Sequence, residues 1–210
     1  VPLPFAFPFY GKLYKTLYID ANGQVGFDAF ASPTFTGTLG IPHTGYPNNR
    51  IAVFHADLDL GMVGPGGGGT VWYYHDVANK RFIVEYKDTQ LYAGLGPAGT
   101  FQVLLYENGD ILAQYHTVYV TPIIPGGIEN RDGSTGLSYA GTITNNLAIG
   151  YYRAGVSVEV NPKVVAPGGA MATVTATVRG RDWSPTTPPD GTNVSFAAGV
   201  LGSMSPAATV

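Results

Sequence analysis

The feature that most constrains this fold is a short alternation of apolar and polar residues that recurs along almost the whole chain. Side chains on a β-strand point alternately to its two faces, so this pattern predicts strands with one buried face. Glycine, proline, asparagine or aspartate bounds each stretch, as expected for turns. We therefore predict an all-β fold with strands at residues 13–20, 24–27, 51–58, 70–75, 81–90, 99–107, 111–118, 135–140, 147–152, 157–160, 170–178 and 193–197.

Two asparagine-glycine pairs predict tight hairpins. In "YIDANGQVGF", Asn22-Gly23 separates two alternating stretches, and in "VLLYENGDILAQYH", Asn108-Gly109 does the same. Asparagine and glycine tolerate the positive φ angles that short hairpin turns require. Both pairs thus predict antiparallel neighbours in the sheet.

Composition excludes several classes of function. The net charge is −3 and charged residues are only 12% of the chain, so no basic surface is expected to bind nucleic acid. The chain has no cysteine, which excludes disulfides and thiolate metal sites. No apolar run reaches the ~18 residues of a membrane-spanning helix. A weakly charged β-protein of this kind predicts an extracellular or cell-surface (secreted) location.

The composition changes sharply after Tyr152. All 14 tyrosines lie at or before this residue, and valine, alanine, threonine, proline and glycine dominate the rest. This change predicts two tandem β-sandwiches. The predicted domains are an extended N-terminal arm at residues 1–12, a first sandwich at 13–153 and a second at 154–210.

The first sandwich carries a series of characteristic segments. "FPFYGKLYKTLYIDANGQVGFD" is followed by "NNRIAVFHADLDL", "VWYYHDVANKRFIVEYKD", "TFQVLLYENGDILAQYH" and "GGIENRDGSTGLSYAG". These segments resemble the nidogen-like extracellular module over residues 7–152. The resemblance implies a β-sandwich that serves adhesion and assembly and carries no active site.

The second sandwich resembles another family. "NP", "GGAMATVTATV", "PPDGTNVSF" and "GSMSP" follow one another in the order seen in bacterial immunoglobulin-like domains of the invasin type, over residues 155–210. That family continues with further strands, which this sequence does not contain. The resemblance therefore implies an immunoglobulin-like sandwich that is incomplete within this chain.

An incomplete sandwich leaves strand edges unpaired, and a strand from another chain can complete it. We therefore expect a non-enzymatic structural protein, a subunit of a prokaryotic surface filament or array, whose partners are copies of itself in a homopolymer. The alternative is an accessory adhesion or carbohydrate-binding region of a larger secreted protein, such as a subtilisin-like protease. The candidate residues are Pro2, Pro4, Phe5, Phe7 and Phe9 for an inter-subunit arm, and Val194 and Phe196 for an acceptor strand.

The segment "FHADLDLG" contains the cluster of side chains that is most typical of a binding or catalytic site. If residues 51–58 form one strand, His55, Asp57 and Asp59 lie on the same face. Asp57 and Asp59 are then candidate ligands for calcium, the only cofactor that the sequence indicates. The alternative is that these side chains bond to local backbone at the end of a strand.

Enzymatic activity is not expected, because no Gly-x-Ser-x-Gly motif is present. Glycan binding is the most specific alternative among binding functions, since exposed aromatic rings can stack on sugars. Aromatic residues that alternate on strands also serve as core and cross-strand partners. The tyrosines concerned are Tyr73, Tyr74, Tyr86, Tyr92, Tyr106 and Tyr115.

Overall fold

The structure is a computed structural model, and it describes residues 1–30, 40–61, 68–122 and 126–152, with the backbone of two later strands. The described residues form strands and one 3₁₀ turn (Tyr92–Gly94), so the prediction of an all-β fold is confirmed. In chain order the strands are β1 (Pro2–Phe9), β2 (Lys12–Thr16), β3 (Tyr18–Asp20), β4 (Gln24–Gly26), β5 (Arg50–Ala52), β6 (Leu58–Asp59), β7 (Thr70–Asp76), β8 (Arg81–Leu91), β9 (Pro97–Tyr106), β10 (Ile111–Val118), β11 (Gly127–Glu129), β12 (Gly136–Ser138), β13 (Leu147–Tyr151), β14 (Gly155–Asn161) and β15 (Thr173–Arg179).

Two antiparallel sheets form a β-sandwich. One has the order β13-β10-β9-β8-β6, and β7 also pairs with β8. The other has the order β12-β11-β5-β4-β3. Two further pairs, β1-β2 and β14-β15, are separate two-stranded sheets.

The two large sheets share one hydrophobic core. Val25 and Ile51 of the five-stranded sheet and Val84 and Val103 of the six-stranded sheet are fully buried in the same cluster. Stacked aromatic rings extend this core, with 4.8 Å between the ring centroids of Phe54 and Phe101. Burial of these inward faces explains why the apolar alternation predicted the strands.

Both predicted hairpins are present. Asp20 pairs with Gln24 around the turn that contains Gly23, and β9 and β10 pair on either side of the Asn108-Gly109 turn. Gly23 and Gly109 have φ angles of 75° and 95°. These positive angles are the reason that glycine marked the turns.

The single strand predicted at residues 51–58 is wrong in its middle part. β5 ends at Ala52, and the amides of Val53 and Phe54 both donate to the carbonyl oxygen of Gly23, at 3.1 and 3.0 Å. These amides therefore bond to a turn and not to a neighbouring strand. After an isolated bridge at His55, the chain rejoins a sheet at β6.

Candidate functional site

The predicted calcium ligands lie where that strand is interrupted. Asp57 precedes β6 and Asp59 ends it, and both are half-buried. Asp59 Oδ1 accepts a hydrogen bond from the amide of Gly61 at 2.8 Å. Because residues 51–58 are not one strand, the reason for expecting a common face with His55 no longer applies. No group of three or more histidine or acidic side chains in the described part of the chain could hold a metal, and calcium binding by these two carboxylates stays a prediction.

The predicted N-terminal arm is paired within this chain. Its residues form β1, which pairs with β2. Phe7 and Phe9 are fully buried and pack against Phe27: the Phe7 ring stacks on it at a centroid distance of 5.5 Å, and the Phe9 ring is tilted against it at 4.6 Å. These two side chains are therefore used inside the chain. Pro2 and Pro4 are exposed and Phe5 is half-buried, and their role in an inter-subunit arm stays a prediction. The predicted acceptor residues Val194 and Phe196 lie outside the described residues.

A cluster of polar side chains is buried where β4, β5 and β11 adjoin. Arg50 Nε donates to Glu129 Oε1 at 2.6 Å, and both side chains are fully buried. Arg50 Nη1 donates to Gln24 Oε1 at 2.9 Å and lies 3.2 Å from His55 Nδ1. Glu129 Oε2 accepts a hydrogen bond from the amide of His43 at 3.0 Å. The cluster therefore joins three strands and two loops.

Burial governs the ionisation of this cluster. It raises the pKa of Glu129 above its usual value, although the charge of Arg50 acts in the opposite direction. Burial, assisted by the charge of Arg50, lowers the pKa of His55 to about 4. His55 is therefore neutral at pH 7. Since Arg50, Glu129 and His55 are at most 1% exposed, they present no reactive atom to a substrate, and we interpret the cluster as structural.

A second group of residues, three of the five polar, lies on the outer face of the six-stranded sheet. Trp72, Glu85, Gln102, Gln114 and Ala148 are successive cross-strand partners on five adjacent strands, and we call them the outer row. Gln102 Nε2 donates to Gln114 Oε1 at 2.8 Å. An open groove of about 280 Å³ covers part of this row.

The groove is lined by both polar and apolar residues, and the apolar ones are Phe101, Leu147, Ala148 and the ring of Tyr115. Its lining includes Glu85, Thr100, Gln102, Gln114, His116 and Asn146, and no lysine or arginine is among its described lining residues. Sequence analysis missed this site, because its lining comes from four strands, β8, β9, β10 and β13, which only strand pairing brings together. The only sequence signal is the alternation of Trp72 and Tyr74, which places both rings on one face.

The tyrosines divide into two groups. Tyr86 and Tyr115 are buried, and their hydroxyl groups donate to backbone carbonyl groups of Gln24 and Val53, at 2.8 and 2.6 Å. These two are core residues that link the sheets and are not available for stacking on sugars. Tyr73, Tyr74 and Tyr92 are exposed, and Tyr106 is half-buried.

The fold and these surfaces define an all-β sandwich module with a buried polar cluster beside its hydrophobic core and an exposed aromatic sheet face. A family model with the description "NIDO related" matches residues 1–198. The chain therefore belongs to the NIDO-related family, and the nidogen-like resemblance is confirmed. Membership identifies the protein as a nidogen-related extracellular module. No curated protein and no solved structure matches the chain.

The other predictions about organisation stay open. The family match continues past the predicted domain boundary at Arg153, and the invasin-type resemblance of residues 155–210 stays a prediction. Within the described residues, no helix is long and apolar enough to cross a membrane.

Proposed function

We propose that this protein is a non-enzymatic extracellular structural subunit that assembles with other copies by strand addition at the edge strand β7. The observation that carries the proposal is the exposed edge of β7. Among the described residues β7 pairs with β8 alone, over the unbroken register from Thr70 with Lys87 to Asp76 with Arg81. A strand in this position offers unpaired backbone groups to another chain.

The sequence of β7 favours such pairing. Its residues, TVWYYHD, include no proline and no lysine, the residues that commonly protect sheet edges. Trp72, Tyr73 and Tyr74 are 61%, 56% and 66% exposed. Long, exposed and aromatic edge strands are the ones that associate with other strands.

Within residues 1–152, the other described edges are less suited to this role. The edge strands β3 and β12 have only three residues each. β1 contains three prolines, and its partner β2 contains two lysines.

β13, the opposite edge of the same six-stranded sheet, has five residues. Head-to-tail pairing of β7 with β13 of the next copy would continue the sheet from subunit to subunit as an open filament.

The test compares two tyrosine-to-lysine variants of the full chain. Tyr73→Lys places a charge in the middle of β7, and Tyr92→Lys changes a side chain of nearly equal exposure (57%) in the 3₁₀ turn. A lysine on an edge strand opposes strand addition. We expect the native chain and Tyr92→Lys to self-associate with rising concentration in sedimentation velocity, and Tyr73→Lys to stay monomeric.

Electron microscopy of the same samples distinguishes filaments from closed dimers. Filaments in the native sample that are missing from the Tyr73→Lys sample would support head-to-tail assembly. The proposal is wrong if the native chain is monomeric at every concentration, or if both variants assemble as it does.

A further inference from the structure

The outer row combines flat aromatic surface with hydrogen-bonding groups, and this combination suits one class of ligand. Sugar rings have apolar C–H faces that pack on aromatic rings, and their hydroxyl groups both donate and accept hydrogen bonds. Trp72 and Tyr74 present exposed rings on the outer face of β7, and Glu85 lies directly across from Trp72 on β8. We propose that this face is a binding site for neutral oligosaccharides.

The aromatic part of the site is held in place. Trp72 Nε1 donates to Thr70 Oγ1 at 2.9 Å, although the side chain is 61% exposed. This bond restrains the indole ring at the surface, so that less side-chain entropy is lost when a ligand binds. Tyr74 lies two residues further along the same strand and faces the same side.

The polar part of the site has hydrogen-bonding groups that the described residues do not use. The Gln102–Gln114 bond uses one amide nitrogen and one carbonyl oxygen. Gln102 Oε1, Gln114 Nε2 and the Glu85 carboxylate have no hydrogen-bond partner among the described residues. Two acceptor groups and one donor group, on three neighbouring strands, therefore face the groove. Such a set of fixed polar groups matches a pattern of ligand hydroxyl groups.

The charge and size of the groove restrict the class of ligand that it can bind. Glu85 is the only acidic group in the described lining, and no lysine or arginine is among the lining residues to attract an anionic ligand. Two cations of β8 lie outside this lining: Arg81, which is paired with Asp76 at 2.8 Å, and the exposed Lys87, two residues from Glu85 on the same face. The groove volume of about 280 Å³ is slightly below the lower limit of ~300 Å³ for typical small-molecule pockets. An open groove of this size fits part of a chain of sugars, with Trp72 and Tyr74 contacting neighbouring units.

The site can be tested separately from the proposed assembly, although Trp72 and Tyr74 lie on the assembling strand β7. Tyr73 points to the opposite face of β7 from Trp72 and Tyr74, and strand addition uses the backbone edge. Substitutions in Gln102 or Gln114 therefore test sugar binding and leave the β7 edge unchanged.

The experiment uses tryptophan fluorescence. The chain has two tryptophans, Trp72 and Trp183, so Trp183→Phe leaves Trp72 as the only reporter. Neutral hexasaccharides (cellohexaose, xylohexaose, laminarihexaose, mannohexaose and chitohexaose) and an anionic hyaluronan hexasaccharide are titrated to about 10 mM. We expect at least one neutral sugar to shift the Trp72 emission.

Matched glutamine variants in the reporter background localise the binding. Gln102→Ala is expected to weaken binding about tenfold, as for the loss of one hydrogen bond of ~1.4 kcal/mol. Gln90→Ala, on β8 outside the outer row, is expected to have no effect, since this side chain bonds to the carbonyl of Asp88. Thermal unfolding of both variants controls for folding. The proposal is overturned if no neutral sugar changes the emission, if Gln102→Ala binds like the reporter chain, or if only hyaluronan binds.

Discussion

At the scale of single residues, Gly23 has a position that no other residue can occupy. Its φ angle is 75°, and an added Cβ would overlap the carbonyl oxygen of Phe54. The backbone cannot move away easily, because the carbonyl of Gly23 accepts hydrogen bonds from both Val53 and Phe54. Glycine is therefore needed here both for its backbone angle and for its lack of a side chain.

A comparison with Gly11 separates the effect of the backbone angle from the effect of the steric overlap. Its φ angle is 76°, nearly that of Gly23, but an added Cβ would have no neighbour within 4 Å. We expect Gly11→Ala to lower the free energy of unfolding by about 1 kcal/mol, the cost of the backbone angle alone. Gly23→Ala should cost at least about 3 kcal/mol, because the steric overlap is added. Urea denaturation measures both, and equal costs would show that the overlap at Gly23 relaxes freely.

At the scale of strands, the Arg50–Glu129 pair links β5 to β11. The two residues are direct partners in the antiparallel register, and both are fully buried. Removing one member of a buried pair leaves a charge without compensation, whereas removing both leaves none. The pair therefore makes the association of these two short strands dependent on a particular register.

We expect Glu129→Leu to lower the free energy of unfolding by about 3–5 kcal/mol. The double variant Arg50→Met/Glu129→Leu should recover much of this loss, because it also removes the guanidinium group that Glu129→Leu leaves unpaired. The matched surface control is Arg131→Met, which breaks the exposed Arg131–Asp28 pair at 3.0 Å and should cost less than about 1 kcal/mol. Chemical denaturation of the three variants gives the comparison. If Glu129→Leu costs as little as the surface control, this would contradict the idea that the substitution leaves Arg50 as an uncompensated buried charge.

At the scale of the whole molecule, His55 couples the stability of the folded chain to pH. The unfolded chain binds the histidine proton near pH 6.5, but the folded chain binds it only near pH 4, because the pKa of His55 is lowered by burial. Between these values the unfolded state carries more protons, so the free energy of unfolding falls as the pH falls. The loss over this window is on the order of 3 kcal/mol.

The raised pKa values of Glu129 and Asp20 act in the opposite direction, since the folded chain keeps those protons to higher pH. A comparison with His55→Gln removes this complication, because both carboxyl groups are present in each protein. We expect the native chain to lose stability relative to His55→Gln as the pH falls from 6.5 to 4. Urea unfolding at several pH values measures the difference, and parallel pH profiles would argue against a neutral, buried His55.

Much of the fold was predictable because its signals are local. The alternation in residues 111–118 matches β10 in full, and the two asparagine-glycine turns are in place. The failures have a tertiary cause. Residues 51–58 alternate like a strand, but Val53 and Phe54 bond to the Gly23 turn, which is distant in sequence. Residues 1–12 were predicted as an extended arm for another subunit, yet β1 pairs with β2 and buries Phe7 and Phe9 in this chain's own core.

The sequence by itself determined the all-β class, the main hairpins and the nidogen-like character, because backbone angles and face alternation are properties of neighbouring residues. Only the tertiary structure decided which polar residues meet. Strand pairing brings Glu129 to Arg50 across 79 positions and aligns Trp72, Glu85, Gln102 and Gln114 in one row. The physical reason is that strand register and sheet order follow from the packing of the whole core, and no short segment contains that information.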